Sequence, residues 1–179
     1  MKKRLLLSSK IVYRGKHIAV REDEMKEDGN LHHYEIVEHP GAVAILAFDS
    51  KENKLIFEKQ YRHSTEEYLY EIPAGTLEKD EQPEDCARRE LLEETGYIAD
   101  KMKRLISIRT SPGYTNEILH IFYCITSQRR ESDLESDEEI EVIKLDETDI
   151  SRMVREKKIV DSKTLSALFV AEKLRLVEL

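Results

Sequence analysis

The sequence predicts an α/β fold in which helices cover both faces of a mixed β-sheet, preceded by a small antiparallel β appendage. The continuous apolar run at 42–48 is typical of a strand buried on both faces. Pro83 and Gly96 bracket a stretch with the start and stop signals of a helix. Residues 8–40 read instead as short strands joined by polar turns.

The remaining elements alternate in a pattern that fits this sandwich. Pro40-Gly41 marks the boundary between an appendage at 1–40 and a main domain at 41–179. Further elements are predicted as strands at 54–62, 66–72, 104–110 and 118–126, a candidate edge strand at 140–145, and helices at 146–158 and 161–179. Gly75 is placed in a loop after a strand, and the last helix is expected to have a face on which apolar residues, including Leu168 and Phe169, are mixed with the charged Glu172.

Composition and charge exclude several classes of protein. At 179 residues, with 40% hydrophobic residues, the chain suits one globular domain with a small appendage. The net charge of −8 is concentrated at 131–149, where ten acidic residues accompany one lysine. No basic stripe is present, so we expect no nucleic-acid partner.

Targeting signals and metal-type cysteine spacing are also missing from the sequence. The apolar run Leu5–Leu7 is too short for a secretory signal, and no segment approaches the length of a membrane span. Cys86 and Cys124 are expected to be buried as small apolar residues. We therefore expect a cytoplasmic protein with no membrane partner.

The predicted helix at 83–95 crowds like charges onto one face. Glu90 and Glu94 are one helical turn apart, and Glu93 lies beside them. A solvated face neutralised by Arg88 and Arg89 is one interpretation. The other is a divalent cation site, because Mg²⁺ takes one or two carboxylates together with substrate phosphates.

The spacing of residues around this helix resembles the Nudix hydrolase box. The matching positions are Gly75, then after five residues Glu81, then after seven residues Arg89, Glu90, Leu91, Glu93, Glu94 and Gly96, with Tyr97 where an aliphatic residue is usual. This resemblance implies the Nudix fold and metal-dependent hydrolysis of a nucleoside diphosphate linked to another group.

The same resemblance assigns roles to box residues. Glu90 and Glu94 are implied as the principal metal ligands, together with the backbone carbonyl of Ala74. Glu93 would support the metal cluster, and Arg89 would orient the glutamates. Two or three Mg²⁺ ions per site are implied, with Mn²⁺ as an alternative; they would neutralise the pyrophosphate and activate water.

The segment SPGYTNE at 111–117 narrows the substrate. Its proline, Pro112, follows Tyr97 by fifteen residues, as in the ADP-ribose pyrophosphatase branch of the family. An ordinary Pro-Gly turn between strands is the alternative. The branch implies hydrolysis of ADP-ribose to AMP and ribose 5-phosphate. Another sugar substrate, such as GDP-mannose, and an ADP-ribose sensor that does not cleave are the other hypotheses.

Similarity to this branch also implies substrate contacts. Arg62 would contact phosphate, although a structural ion pair is an alternative, and Glu117 would accept hydrogen bonds from the terminal ribose. His39 is a candidate for the phosphate or ribose end. Adenine needs a flat partner, for which the candidates are Tyr13, Tyr34, Tyr61 and Tyr114, with Tyr34 and Tyr114 preferred.

The acidic stretch 131–142 corresponds to a glutamate-bearing loop of the same branch. Alignment of the following strand makes Glu138 the counterpart of the metal-proximal glutamate, whereas Ser136 occupies the position of the usual general base. The base therefore stays open among Glu93, Glu135, Asp137, Glu138 and Glu139. The appendage implies a C2 homodimer, because short strands alone cannot bury both faces.

Overall fold

A computed structural model describes residues 4–132 and 139–178. The chain forms two compact units, one comprising the residues up to Gly41 with Ile108–Ile118, the other Ala42–Ser107 with the residues from Leu119 onward. This grouping places the SPGYTNE segment in the first unit. The domain boundary between residues 40 and 41 stays a prediction.

The first unit contains the expected antiparallel appendage. Its three strands pair in the order β1-β2-β3, and their bounds are β1 Arg4–Arg14, β2 Ala19–Glu27 and β3 Asn30–Glu38. β1 begins earlier than predicted because Leu5 and Leu6 pair with β2. Asp28 and Gly29 have φ values of 49° and 93°, as a two-residue hairpin turn with two left-handed positions requires.

The second unit is built on a mixed sheet. Its strands are β4 Ala42–Asp49, β5 Lys54–Arg62, β6 Glu67–Glu71, β7 Ala74–Thr76, β8 Tyr97–Arg109, β9 Ile118–Arg129 and β10 Ile140–Leu145. The order is β10-β5-β4-β9-β8, with β6 also paired to β5 and β7 to β4. β4 runs antiparallel to β5 and parallel to β9, so the predicted mixed sheet and its edge strand are confirmed.

Gly75 lies in a short strand, not in the predicted loop. β4 and β5 pair only over Ala47–Asp49 and Lys54–Ile56, after which β7 takes the place beside β4. Val43 is opposite Gly75 in this ladder. Three residues are too few for a strand pattern to be visible in the sequence, so the loop prediction was wrong.

The helices are α1 Pro83–Thr95, α2 Glu147–Arg155 and α3 Ser162–Lys173. α1 has the predicted bounds, with proline in its first turn and Gly96 as a left-handed cap at φ 76°. α3 ends at Lys173, earlier than predicted, because Arg175 adopts φ 56° and its neighbour Leu176 donates to the carbonyl of Ala171. This is a Schellman-type helix end, but Arg175 occupies the position at which glycine is usual, so no local sequence signal indicated it.

The buried core lies around β4. Its odd-numbered residues Val43, Ile45 and Ala47 pack with apolar residues of α1, including Leu91, and both cysteines are buried as predicted. Ala44 and Leu46, on the opposite face, are also fully buried, and α3 contacts β4. Phe169 of α3, predicted to share a mixed apolar and charged face with Leu168, is 60% exposed, because the buried face of the helix is formed by Thr164, Ala167, Leu168 and Ala171.

No helix in residues 4–132 or 139–178 is long and apolar enough to cross a membrane.

Candidate active site

Glu90 of α1 lies directly against Gly75 of β7. A Cβ atom built on Gly75 would be 1.9 Å from Cδ and 2.0 Å from Oε1 of Glu90. Real Cβ contacts are never so short, so only glycine lets the carboxylate occupy this position. The requirement for glycine at this position of the Nudix box therefore has a steric cause: any other side chain would overlap the Glu90 carboxylate.

Glu94 is held one turn further along the same helix. It is 3% exposed, and its Oε2 accepts a 3.0 Å hydrogen bond from the backbone N–H of Ala74. Ile45 donates to Pro73 O in the β4–β7 ladder, so the next pair, Ala44–Ala74, is a non-hydrogen-bonded pair. The N–H and C=O of Ala74 therefore both point away from β4, and the N–H reaches Glu94.

Arg89 is the cation of this cluster. Its guanidinium binds both carboxylate oxygens of Glu81 at 2.9 and 3.0 Å, and it also contacts Glu90 at 2.8 Å and Glu93 at 2.9 Å. The hydrogen bonds from Arg89 lower the pKa of Glu81 to about 2. Arg88 instead pairs with Glu84, so only one of the two arginines neutralises the clustered acids.

We expect Glu81→Gln to lower the melting temperature by about 5 °C at pH 7, because the variant loses a charged, bidentate hydrogen bond. The folded pKa of Glu81 lies below its unfolded value, so this stabilisation is complete above about pH 4.5 and is lost as the pH falls towards 2. Calorimetry from pH 7 to pH 3 measures the difference between the variant and the parent. That difference should shrink as the pH falls.

The matched control for this prediction is Glu84→Gln on the exposed side of α1. Glu84 forms an exposed i,i+4 pair with Arg88, which contributes little to stability. Its melting temperature should stay within about 1 °C of the parent. Equal changes of the melting temperature in the two variants would contradict the expectation that the Glu81–Arg89 pair stabilises the fold.

A second group of charges, centred on the buried Glu71, lies on β5, β6 and α3. Arg62 donates from Nε and Nη2 to the two oxygens of Glu71 at 2.9 and 2.6 Å, and Lys163 contacts the same carboxylate. The ion-pair alternative for Arg62 is therefore present in the structure. Glu58, the register partner of Glu71, is also buried.

Sequence reasoning missed Glu71 and Lys163, which are separated by 92 positions in the chain. The signal available was weak. Glu71 is an acidic residue at the end of a strand, directly before Ile72-Pro73, where a buried carboxylate would need a cation. Nothing in the sequence identifies which cation that is.

Glu117 and His39 lie together within the first unit. Glu117 accepts a 2.6 Å hydrogen bond from the Thr110 hydroxyl, and its Oε1 is 3.6 Å from Nδ1 of His39. The same nitrogen is 3.1 Å from the backbone nitrogen of Gly41, whose N–H donates to it. The backbone N–H of His39 donates to Oδ1 of Asn116 at 2.9 Å. This hydrogen bond connects His39 to the SPGYTNE segment, of which Glu117 is the last residue.

The two preferred tyrosines also belong to the first unit. Tyr114 is 59% exposed, and its backbone carbonyl accepts from Val37 of β3. Tyr34 donates from its hydroxyl to Glu27 at 3.1 Å, and this hydrogen bond raises the pKa of the phenol. Both rings keep an exposed face on which a base could stack.

The acidic stretch is described only at its ends. Glu135, Ser136, Asp137 and Glu138 lie outside the described residues. Glu139, another candidate base, accepts a hydrogen bond from the Tyr68 hydroxyl, and its backbone carbonyl accepts from the N–H of Tyr61. The Glu139 carboxylate is thus already engaged at the edge of β5 and β6.

Comparison with known proteins decides the family. A profile of the NUDIX domain matches residues 38–167, which include every residue of the Gly75–Glu90–Glu94 arrangement. The chain belongs to the Nudix family. Because this match covers most of the chain, the predicted Nudix fold is confirmed, as is the resemblance on which it depended.

Curated relatives of this Nudix protein differ in their named activities. This chain is 42% identical over 151 residues to an ADP-ribose pyrophosphatase of Bacillus subtilis, and the match covers 82% of this chain and 80% of the relative. It is 39% identical over 160 residues to a methanol dehydrogenase activator of Bacillus methanolicus, with 88% and 86% coverage. A GDP-mannose pyrophosphatase of Cronobacter sakazakii is 32% identical over 157 residues, with 82% of each chain covered.

Among solved structures, an ADP compounds hydrolase has the same fold as this Nudix protein. The two agree with a TM-score of 0.84 over 96% of this chain and 94% of the other. Their sequence identity is 21%, so the likeness concerns the fold.

Nudix hydrolases generally use divalent metal ions, and the residues present here fit such an ion. Glu90, Glu94 and the outward carbonyl of Ala74 offer hard oxygen donors around one point of β7. Within residues 4–132 and 139–178, no three His, Cys, Asp or Glu side chains form a metal-binding group by themselves. A site with two carboxylates and one carbonyl needs substrate phosphates to complete it, which is the usual arrangement for Mg²⁺.

Proposed function

We propose that this protein hydrolyses the pyrophosphate of ADP-ribose with Mg²⁺, yielding AMP and ribose 5-phosphate. The observation that carries the proposal is the contact of Glu90 with Gly75, together with the Glu94–Ala74 hydrogen bond. The ADP-ribose pyrophosphatase relative, at 42% identity, supports the substrate. One water molecule adds across the P–O–P bond, so that each product leaves with one phosphate.

Glu90, Glu94 and the Ala74 carbonyl would hold the metal in this proposal. When bound, divalent cations neutralise the pyrophosphate and make water a better nucleophile at neutral pH. Two or three ions per site, with Mn²⁺ able to replace Mg²⁺, belong to the proposal. Arg89 keeps Glu90 and Glu93 oriented through its contacts at 2.8 and 2.9 Å.

Arg62 would bind a phosphate oxygen of the substrate. Two of its five N–H donors go to Glu71, which fixes the plane of the guanidinium and leaves donors for an anion. Burial disfavours the charged form of Arg62, but the stronger hydrogen bonds to Glu71 raise its pKa. Arg62 therefore stays cationic, as a phosphate contact requires.

The first unit would supply the contacts to the nucleoside and the terminal ribose. In this proposal Glu117 accepts from the ribose hydroxyls, His39 lies at the same end, and Tyr34 or Tyr114 stacks on adenine. The hydrogen bond from Thr110 leaves acceptor capacity on the Glu117 carboxylate. Its second oxygen is thus suited to a sugar hydroxyl.

We expect Glu117→Ala to raise KM for ADP-ribose about tenfold with kcat changed less than threefold. The variant would lose a charge-assisted hydrogen bond made in both the ground state and the transition state. Steady-state kinetics with saturating Mg²⁺ measure both constants. Thr110→Val removes the donor to Glu117 but keeps the carboxylate, so its KM should rise less. An unchanged KM for Glu117→Ala would contradict the proposed contact between Glu117 and the terminal ribose.

Hydrolysis of GDP-mannose is the second candidate function. The relative at 32% identity over 157 residues is a GDP-mannose pyrophosphatase, so the same fold is compatible with that substrate. Measuring kcat/KM for ADP-ribose, ADP-glucose, GDP-mannose and NADH in parallel separates the two. We expect ADP-ribose to have the highest value; a higher value for GDP-mannose would keep the chemistry and replace the substrate.

The general base and the oligomeric state complete the proposal. We assign the base to the acidic stretch, with Glu138 preferred and Glu135, Asp137 and Glu139 as alternatives in the same stretch; Glu93 of α1 is the alternative outside it. We propose a C2 homodimer formed through the appendage, because its sheet exposes several large apolar side chains, among them Leu5, Leu6 and Leu31. A cytoplasmic location stays the expectation from the sequence.

A further inference from the structure

The amino-terminal turn of α3 is connected to Arg62 by buried ion pairs. Lys163, the second residue of α3, contacts the carboxylate of Glu71 and lies 3.1 Å from Asp161. Glu71 is 1% exposed and binds Arg62 through both oxygens, at 2.9 and 2.6 Å. Asp161, Lys163, Glu71 and Arg62 therefore form one continuous series of ion pairs.

The same turn is connected to the strand that carries Ala74. The Thr164 hydroxyl accepts a 3.0 Å hydrogen bond from the backbone N–H of Ile72, and it donates to Asp161 at 2.6 Å. Asp161 also caps α3 by accepting from the N–H of Thr164 at 2.9 Å. Ile72 is two residues before Ala74, so this hydrogen bond holds the chain just where it enters β7.

Burying Glu71 as an anion requires both of its cations. Burial raises the pKa of this carboxyl, but the hydrogen bonds from Arg62 and the charge of Lys163 outweigh it and lower the pKa overall. With only one cation the carboxylate would be poorly compensated. Lys163 thus keeps Glu71 ionised and fixed in one orientation.

We propose that Lys163 and Thr164 are positioning residues for hydrolysis: Lys163 orients Arg62 through Glu71, and Thr164 orients the Ala74 carbonyl through Ile72. The inference rests on the proposed function for its phosphate contact. Neither residue lies in the Nudix box, and both act from a helix more than sixty positions later in the chain. Preorganised contacts of this kind bind substrate without a further ordering cost.

The Lys163 branch is tested with a pair of variants. Lys163→Met removes the charge and keeps the length of the chain, whereas Lys163→Arg keeps the charge. We expect Lys163→Met to raise KM for ADP-ribose about tenfold, with kcat reduced less than threefold. In Lys163→Arg, KM should stay within about twofold of the parent value. A general loss of structure would lower the active fraction, and hence kcat, in both variants. Unchanged KM in Lys163→Met would overturn this branch.

The Thr164 branch is tested by metal affinity instead of activity. Thr164→Val has the same shape but loses the hydroxyl, and Thr164→Ser keeps it. Mn²⁺ binding, followed by electron paramagnetic resonance of the free ion, should weaken about fivefold in Thr164→Val and stay unchanged in Thr164→Ser. Equal Mn²⁺ affinity in all three proteins would overturn this branch.

One binding measurement separates this inference from the proposed function. An ADP-ribose analogue with a methylene bridge between the phosphorus atoms cannot be hydrolysed, so its calorimetric Kd reports binding alone. If the parent protein does not bind the analogue, the proposed function fails, and the Mn²⁺ titrations still decide the Thr164 branch. If the parent binds and Lys163→Met binds equally well, the Lys163 branch fails while the proposed substrate site stands.

Discussion

Replacing Glu94 with glutamine is expected to lower kcat for ADP-ribose at least about 1,000-fold. Glu94 is 3% exposed and its carboxylate accepts from Ala74, and the substitution removes the charge of this proposed metal ligand without changing the shape of the side chain. A loss of several kcal/mol of metal-mediated stabilisation corresponds to this factor. The fold should persist, because the amide oxygen of glutamine can still accept from the Ala74 N–H.

The measurement is kcat at saturating Mg²⁺, with circular dichroism and the melting temperature recorded on the same samples. Without metal, Glu94→Gln should melt at or above the parent temperature, because it no longer buries a charge. Glu84→Gln, which alters an exposed carboxylate on the same helix, serves as the control and should retain parental kcat. Parental turnover in Glu94→Gln would contradict the proposal that Glu94 binds the metal ion.

Substituting alanine for Gly75 is expected to reduce kcat/KM at least about 100-fold. The new methyl group would lie 1.9 Å from Cδ of Glu90, so the carboxylate has to move away from residue 75. A displacement of about 1 Å at a reacting site commonly costs this factor. The crowding should also lower the melting temperature by about 5 °C.

A matched glycine exists in the other unit. Gly29 has φ 93°, and a Cβ atom there would meet nothing within 4 Å. Gly29→Ala should therefore show only the modest backbone strain of a left-handed alanine, with kcat/KM unchanged. Mn²⁺ titration of both variants checks the cause of the effect. Full Mn²⁺ affinity and full activity in Gly75→Ala would contradict the steric role of the glycine.

Local sequence signals predicted the elements that carry the proposed metal site. Pro83 and Gly96 set the bounds of α1, and the spacing of Glu90 and Glu94 put both on one helix face. The apolar run at 42–48 predicted β4 in the same way. These predictions succeeded because each depends on neighbours within one or two helical turns.

Features that depend on distant residues were not predictable. β7 exists because β4 and β5 diverge after three pairs, which no local pattern encodes. Lys163 and Glu71 meet across 92 positions, and the end of α3 uses Arg175 where glycine is usual. Lone acidic and basic residues are also normal on surfaces, so their pairing in the core has no distinctive signature.

The most direct test of the account is product analysis with one substrate. ADP-ribose is incubated with the protein and Mg²⁺, with and without EDTA, and the products are separated by anion-exchange chromatography. We expect AMP and ribose 5-phosphate in equal amounts, and no reaction with EDTA. Intact ADP-ribose at equimolar protein and saturating Mg²⁺, with calorimetry showing that it binds, would contradict hydrolysis and leave a sensor of ADP-ribose.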